Sequence, residues 1–237
     1  MQIPLDKETR KELLKLKRIT SKIDGWLTDD EGAFLYLMAK EGPENGGIVE
    51  IGSWKGRSTV WLASGSRSAK REKIHAIDPH IGSFENKDEN TYRDFIRNMN
   101  KTGVRRHVVP IVAMSDKAAK KWDKPVRLLW IDGSHKYEDV RKDFLVWEKF
   151  LVEGGIIAFH DTVINDGPRR VVKQYIIKSK RYSDIGFVDD ITFARKNAAA
   201  GPSYITWVLR ELSLILLWIR IPAFRSLVKK IFFNQYL

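Results

Sequence analysis

A doubly wound α/β fold with a mostly parallel sheet is the fold class that this sequence predicts. From residue 47 onward, short runs rich in β-branched residues alternate with helical patterns, which is typical of βαβ units. The segment YSDIGFVDDITFARK (182–196) then holds two β-type runs about a short turn. We expect this segment to form a hairpin that ends the sheet with an antiparallel strand.

Five segments are candidates for the parallel strands: GIVEIG (47–52), KIHAID (73–78), HVVPIV (107–112), RLLWID (127–132) and GGIIAFHD (154–161). Four apolar residues at helical spacing indicate the helix before the last of these strands: Val140, Phe144, Trp147 and Leu151. Gly154 is expected to end that helix. Three aromatic side chains are expected in the core: Trp130, Trp147 and Phe159.

Two helices are expected before the sheet. Residues 1–24 are predicted to form a basic helix with apolar contacts at Leu13, Leu14 and Leu16. Thr28 followed by Glu31 is a capping box, which opens the second helix. The apolar face of that helix includes Phe34, Leu35 and Met38, and it is expected to cover the start of the core.

Length and composition favour one core domain with appendages. The chain has 237 residues, which is short for two full domains. The domain is expected over residues 25–197, followed by a helical tail at 198–237. Because there is no cysteine, a disulfide framework and a Cys-ligated zinc site are excluded. The N-terminus has no uninterrupted apolar stretch of the secretory type, so a cytoplasmic location is expected.

The net charge of +12 suggests an anionic partner, and much of it lies at the two ends of the chain. The tail is also strongly apolar, but its longest uncharged run past Glu211 is Leu212 to Ile219. Such a run is too short to span a bilayer, which takes about 20 residues. Residues 203–237, kinked at Pro222, could lie on an anionic membrane surface on the inner face of the cell membrane. Packing on the protein's own core or in a homo-oligomer stays open as the alternative.

The glycine turn after the first strand, VEIGSWKGRST, is the expected ligand cradle of such a sheet. Its spacing does not match the nucleoside triphosphate loop, in which a lysine would stand at the position of Arg57. Trp54 occupies the place of the middle glycine of a dinucleotide turn and so argues against a pyrophosphate. S-adenosylmethionine has no phosphate. Its amino group could meet Gly52, its carboxylate Ser58 at the helix start, and its ribose hydroxyls Asp78 at the next strand end.

With these motifs, the chain resembles class I S-adenosylmethionine-dependent methyltransferases, which have a Rossmann-like fold. More narrowly, it is similar to the small-molecule O-methyltransferase branch that includes catechol-type and macrolide-sugar enzymes. The resemblance covers about residues 25–197 and depends on four motifs in order: VEIGSWKGRST, AIDPH, LLWIDGSHKYEDVRKDF and GGIIAFHD. It implies that Ser115 and Asp116 hold the adenine end, although Ser115 is also a candidate helix N-cap. The residues implied in cofactor binding are Glu50, Gly52, Ser53, Trp54, Gly56, Ser58, Asp78, Ser115, Asp116 and Asp132.

Two strands end in acids next to histidines, and the ends of parallel strands share one edge of the sheet. Asp132 and Asp161 are predicted to hold a divalent cation, with Mg²⁺ as the expected ion. His135 is predicted to be the general base that accepts a hydroxyl proton. His160 is expected to alternate away from Asp161 into the core. Thr162 departs from the Asn or Asp that many catechol-type enzymes have directly after the second acid.

The leading hypothesis is therefore an O-methyltransferase acting on a hydroxyl of a small molecule or sugar, with S-adenosylmethionine as donor. If the tail binds membrane, the acceptor would be lipid-linked, for instance a glycan intermediate on a carrier. Two alternatives stay open: an RNA methyltransferase, and a non-catalytic, membrane-tethered S-adenosylmethionine-binding protein. Nucleic acid is the less favoured partner, because no RNA-binding module is recognisable and the fourth strand ends in Asp-Gly-Ser-His. Trp26 and Trp54 are expected to flank the crevice.

Overall fold

A computed structural model of the chain describes residues 5–82 and 90–197. The predictions for the tail at 198–237, including its membrane and subunit contacts, lie outside the described residues. Over the described ranges, none of the helices has the length and apolar character needed to cross a membrane.

A seven-stranded sheet forms the centre of the fold, with strand order β3-β2-β1-β4-β5-β7-β6. The strands are β1 (Gly47–Ile51), β2 (Ile74–Ile77), β3 (Val108–Ile111), β4 (Val126–Ile131), β5 (Leu151–Phe159), β6 (Tyr182–Val188) and β7 (Ile191–Lys196). The first five strands pair in parallel, whereas β7 pairs antiparallel with both β5 and β6. The predicted doubly wound sheet and its final hairpin are confirmed.

Helices cover both faces of the sheet. They are α1 (Lys7–Thr20), α2 (Asp29–Glu41), α3 (Arg57–Ser68), α4 (Tyr92–Lys101), α5 (Ser115–Ala119), α6 (Tyr137–Trp147) and α7 (Asp166–Val171). A π-helical segment, Val172–Ile177, follows α7, and two 3₁₀ turns cover Arg105–His107 and Glu148–Phe150. Side chains alternate along a strand, so neighbouring residues of β1 lie in opposite layers of the core. Ile48 packs with α2 and α3, and Val49 packs with α6 and α7.

The N-terminal helices form largely as their sequence predicts. In α2, the Thr28 hydroxyl accepts from the Glu31 backbone and the Glu31 carboxylate accepts from the Thr28 backbone, so the capping box is confirmed. In α1, Leu16 is buried, but Leu14 is 66% exposed. The expected contact of Leu14 is wrong, since it lies two positions from Leu16 and therefore on another face of the helix.

The end of the helix before β5 differs from the prediction. The α-helix ends at Trp147, a 3₁₀ turn follows, and Leu151 already pairs with Val126 of β4. Gly154 therefore does not end the helix. It lies inside β5 with φ of 75°, where the register with β4 shifts. The expected core aromatics Trp130 and Phe159 are buried, as is Trp147.

Candidate active site

The glycine turn between β1 and α3 lies directly against the end of β4. Gly52 has φ of 88°, and a Cβ placed there would overlap the carbonyl oxygen of Asp132. Gly56 also has φ of 88°, and its Cβ would collide with Met99 and Phe95 of α4. Both glycines are therefore required by close packing, and the turn is held beside the strand end that carries Asp132.

The Asp78 carboxylate fastens the turn to the end of β2. Its Oδ2 accepts the Trp54 N–H over 2.8 Å, and its Oδ1 accepts the His80 N–H over 2.6 Å. Each carboxylate oxygen can accept more than one hydrogen bond, so capacity for a ligand hydroxyl is left. The Ser53 hydroxyl is buried and has no hydrogen-bond partner among the described residues. This orphaned hydroxyl and the acceptor capacity of Asp78 fit a ligand with ribose and amino acid groups.

Glu50 and Ser58, both predicted to bind the cofactor, bind each other. Ser58 Oγ donates to Glu50 Oε1 over 2.5 Å, and Thr59 Oγ1 donates to Oε2 over 2.5 Å. Burial raises the pKa of Glu50 to about 8, against the lowering effect of these two hydrogen bonds. The Glu50 carboxyl therefore ties the first turn of α3 to β1, and the backbone amides of that turn are the donors left for an anion.

Two tryptophans stack beside the turn. The rings of Trp26 and Trp54 have centroids 4.8 Å apart and planes inclined by 30°, while Trp26 is 61% exposed. The segment before α2 is fixed there by polar contacts: Lys55 Nζ lies 3.1 Å from Asp24 Oδ2, and Arg57 Nη1 donates to the Gly25 carbonyl over 2.8 Å. The N-terminal segment thus lies over the glycine turn.

Ser115 and Asp116 both lie in α5, at the end of β3. Ser115 is not a helix N-cap, because the cap position is Met114. Its hydroxyl donates to Asp143 Oδ1 over 2.5 Å, and Asp116 pairs with Lys142 over 2.9 Å. Their predicted contacts with adenine stay predictions.

Asp143 was missed by the sequence reasoning. Burial raises its pKa to about 6, against the lowering effect of the Ser115 hydrogen bond. Asp143 follows Val140 by three positions and precedes Trp147 by four, so a carboxylate on the buried face of α6 was the available signal.

The two strand ends bring their acids and histidines together. His135 Nε2 lies 2.7 Å from Asp161 Oδ2, and His160 Nδ1 lies 3.1 Å from Asp132 Oδ1 and 3.4 Å from Asp161 Oδ2. Ligand atoms of Asp132, His160 and Asp161 all lie within 4.8 Å of one another. We call Asp132, His160 and Asp161 the acid cluster. The predicted acids and His135 thus share one site.

The expectation that His160 alternates away from Asp161 is wrong. Strand β5 ends at Phe159, and Asp161 has φ of 59°, so strand alternation no longer applies at these two positions. The ring of His160 is buried and turns toward both aspartates. Its place in the cluster depends on the backbone beyond the strand, which periodicity does not describe.

The charges of the cluster reinforce one another. Although burial alone would lower it, the carboxylates of Asp132, Asp161 and Glu31 raise the pKa of His160 well above its usual value. Hydrogen bonding to Asp161 raises the pKa of His135. Conversely, the two histidines lower the pKa of Asp161 despite its burial. Asp161 is thus ionised at neutral pH and His160 is protonated, whereas burial raises the pKa of Asp132.

Thr162 does not join the acid cluster. Its hydroxyl donates to the Asp190 carbonyl over 3.0 Å and lies 2.8 Å from Thr192 Oγ1, so it fastens the loop to the hairpin. Asp190 itself was not predicted. Its Oδ1 accepts from the backbone of Val163 over 2.5 Å, and burial raises its pKa to about 6.

The doubly wound sheet and the glycine turn beside the end of β4 agree with the class I methyltransferase fold that the sequence predicts. Residues 49–162, just under half of the chain, match the family model of a methyltransferase domain, which agrees with the predicted enzyme class. The chain is also 30% identical over 120 residues to the uncharacterized protein R132 of Acanthamoeba polyphaga mimivirus. That alignment covers 48% of this chain and 50% of the relative. The chain therefore spans about half the length of this curated relative.

Solved structures have the same fold at low sequence identity. Cofactor-bound Rv0187 from MTB has a TM-score of 0.59 at 16% identity, covering 83% of this chain and 93% of that one. The O-methyltransferase TomG from Streptomyces achromogenes, in complex with SAM, has a TM-score of 0.56 at 17% identity, with 83% and 92% covered. The O-methyltransferase from Bacillus cereus, in complex with SAH, has a TM-score of 0.56 at 19% identity, with 82% and 93% covered.

Proposed function

We propose that this protein is an S-adenosylmethionine-dependent O-methyltransferase acting on a hydroxyl of a small molecule or sugar. The observation that carries the proposal is the meeting of His135, Asp132 and Asp161 at the sheet edge that also holds the glycine turn. The structures of TomG with SAM and of the Bacillus cereus enzyme with SAH support the same donor and reaction.

The glycine turn would hold the donor. Its residues offer backbone amides at the start of α3, the buried hydroxyl of Ser53 and the acceptor capacity of Asp78. When bound there, S-adenosylmethionine supplies a methyl group on a positively charged sulfur. Trp54 covers the place where a dinucleotide would need a glycine, which favours a donor without phosphate groups.

The acid cluster would hold a divalent cation through Asp132 and Asp161. Carboxylate oxygens suit Mg²⁺, and those of Asp132 and Asp161 lie within 4.8 Å of each other. A cation at these residues would lower the pKa of a nearby hydroxyl. Thr162 does not approach the two acids, because its hydroxyl binds the Asp190 carbonyl. The third side chain beside Asp132 and Asp161 is His160.

His135 would take the proton as the acceptor oxygen forms its bond to the methyl carbon and the carbon–sulfur bond breaks. Its hydrogen bond to Asp161 orients the ring and strengthens it as a base, because it raises the pKa of His135. The side chain is 46% exposed, so an acceptor can reach it. The products are a methyl ether, a neutral thioether and an imidazolium.

Asp132→Asn tests this proposal, with Asp123→Asn in the exposed loop before β4 as a matched control. The donor's affinity, measured by calorimetry, should change little in either variant. Turnover with labelled donor should fall by about 10²-fold or more in Asp132→Asn only, as expected for a group that acts on the reacting hydroxyl. Unchanged turnover in Asp132→Asn would refute the proposed site. If the wild type binds the donor but methylates no hydroxyl acceptor, the non-catalytic alternative is favoured.

The proposals of a lipid-linked acceptor and of a membrane location rest on the sequence of residues outside the described part of the chain. The apolar and basic composition of residues 203–237 supports contact with an anionic membrane surface and a lipid-linked acceptor such as a glycan intermediate. Screening hydroxyl acceptors, short RNAs and lipid-linked sugars with labelled donor would separate this reading from the RNA methyltransferase alternative.

A further inference from the structure

A cleft between the ends of α1 and α4 gathers positive charge away from the proposed active site. Its volume is about 740 Å³, and four cations line it: Lys15, Arg18, Lys22 and Lys101. None of its lining residues is acidic, and none belongs to the glycine turn or the acid cluster. We call this site the basic cleft.

The cations of the basic cleft are poorly compensated. Lys15 Nζ lies 3.5 Å from Glu12, whereas Arg18, Lys22 and Lys101 form no ion pair with any carboxylate in the described ranges. The negative ends of the two helix dipoles favour a cation in each last turn, which accounts for Arg18 and Lys101. They do not explain why Lys15 and Lys22 converge on the same cleft, since like charges repel.

The neutral donors of the cleft are already in use. Ser21 Oγ donates to the Arg18 carbonyl, Thr102 Oγ1 to the Asn98 carbonyl, and Asn98 Nδ2 to the Lys55 carbonyl. The ammonium and guanidinium groups are therefore the donors that remain for a ligand. Guanidinium and ammonium groups bind phosphate oxygens by charge-assisted hydrogen bonds.

The cleft also has an apolar part and the size of a ligand site. Ile19 and the buried Ile23 line it between the cations, and its volume lies in the range of pockets for small organic ligands. We propose that the basic cleft binds the phosphate group of an organic anion, either a soluble phosphorylated compound or a lipid headgroup. This site is independent of the methyl-transfer proposal.

The test uses the full chain and two double variants that each remove two positive charges. Arg18→Gln with Lys101→Gln changes the cleft without touching Asn98, which contacts the glycine turn. Lys11→Gln with Lys120→Gln is the matched control, because both lysines are exposed and neither lines the cleft. Inorganic pyrophosphate is titrated into each protein at low ionic strength, where charge interactions are least screened. Binding to phosphatidylglycerol vesicles is measured by flotation, with phosphatidylcholine vesicles for comparison.

The cleft variant should bind pyrophosphate about 100-fold more weakly than the wild type, about tenfold for each lost charge-assisted contact. The control should stay within about twofold. If the wild type binds phosphatidylglycerol vesicles but not pyrophosphate, and the cleft variant binds these vesicles more weakly than the control variant, the phosphate belongs to a lipid headgroup, since all three proteins carry the same tail. Equal behaviour of the two double variants toward both probes would overturn the proposal.

Discussion

Glu31 Oε2 lies 3.4 Å from His160 Nε2, so a carboxylate of the N-terminal helix α2 reaches the acid cluster at the end of β5. Glu31 is 1% exposed, and its Oε1 accepts the Asp190 N–H from the β6–β7 turn over 2.9 Å. One buried side chain therefore joins three elements that are distant in sequence. Because Glu31 faces the ring nitrogen opposite to the one near Asp132, we expect it to orient the ring of His160.

Glu31→Gln is expected to lower kcat by about 10- to 100-fold, the usual effect of losing a group that orients a site residue. Through its one carbonyl oxygen, glutamine can still accept from the Thr28 backbone, so the capping box and α2 should survive, but its amide nitrogen would then face the Asp190 N–H. The donor's affinity should be unchanged, because Glu31 is not part of the glycine turn. Steady-state kinetics and calorimetry measure the two effects. Glu41→Gln, at the exposed end of the same helix, is the control, and an equal loss in both variants would contradict the orienting role.

Sequence periodicity was sufficient for the sheet and for part of the site. Strand ends in a parallel sheet meet at one edge, so Asp132, His135 and Asp161 could be placed together from position alone. His160 and Glu31 could not, for different reasons. The orientation of the His160 ring depends on the backbone beyond the end of β5. The approach of Glu31 to His160 depends on how α2 packs against the sheet.

Chelation is expected to abolish turnover if the acid cluster holds a divalent cation. Without the cation, Asp132 and Asp161 would be paired only with the histidines, and no metal ion would lower the pKa of the acceptor hydroxyl. Turnover is measured in EDTA and again after addition of excess Mg²⁺, which should restore it. Donor binding in EDTA is the control for the glycine turn. Full activity in chelator would mean that the protonated His160 supplies the only positive charge of the cluster.

His135→Gln is expected to lower kcat by about 10²- to 10⁴-fold, the usual contribution of a general base. Glutamine keeps a donor for Asp161 but cannot accept a proton at neutral pH. His107→Gln, in the 3₁₀ turn before β3, is a control for loss of an imidazole elsewhere. Rate and donor affinity are measured for both variants. A His135→Gln enzyme as fast as the control would exclude this residue as the base.

The tail is expected to recruit the protein to anionic vesicles. Residues 203–237 combine five Lys or Arg with the single Glu211, and the rest of the segment is largely apolar. Flotation with phosphatidylglycerol vesicles should recover the full chain and much less of a form ending at residue 202. The same two forms should behave alike with phosphatidylcholine vesicles. Equal recovery of both forms on anionic vesicles would reject membrane contact through the tail.

Glu50 is expected to make stability depend on pH. Burial raises its pKa from 4.5 to about 8, so between these values the folded protein holds a proton that the unfolded chain has released. Stability should therefore fall as pH rises through this window, with the full loss above about pH 8. The side chain of Glu50→Gln cannot titrate. As pH rises through this window, the free energy of unfolding of the wild type should therefore fall by a few kcal/mol relative to that of Glu50→Gln, at about 1.4 kcal/mol for each unit of pKa shift. Urea unfolding across the window measures both proteins, with Glu153→Gln on the exposed side of β5 as the control. Parallel curves for wild type and Glu50→Gln would show that Glu50 stays ionised in the fold, because Ser58 and Thr59 would then compensate its burial fully.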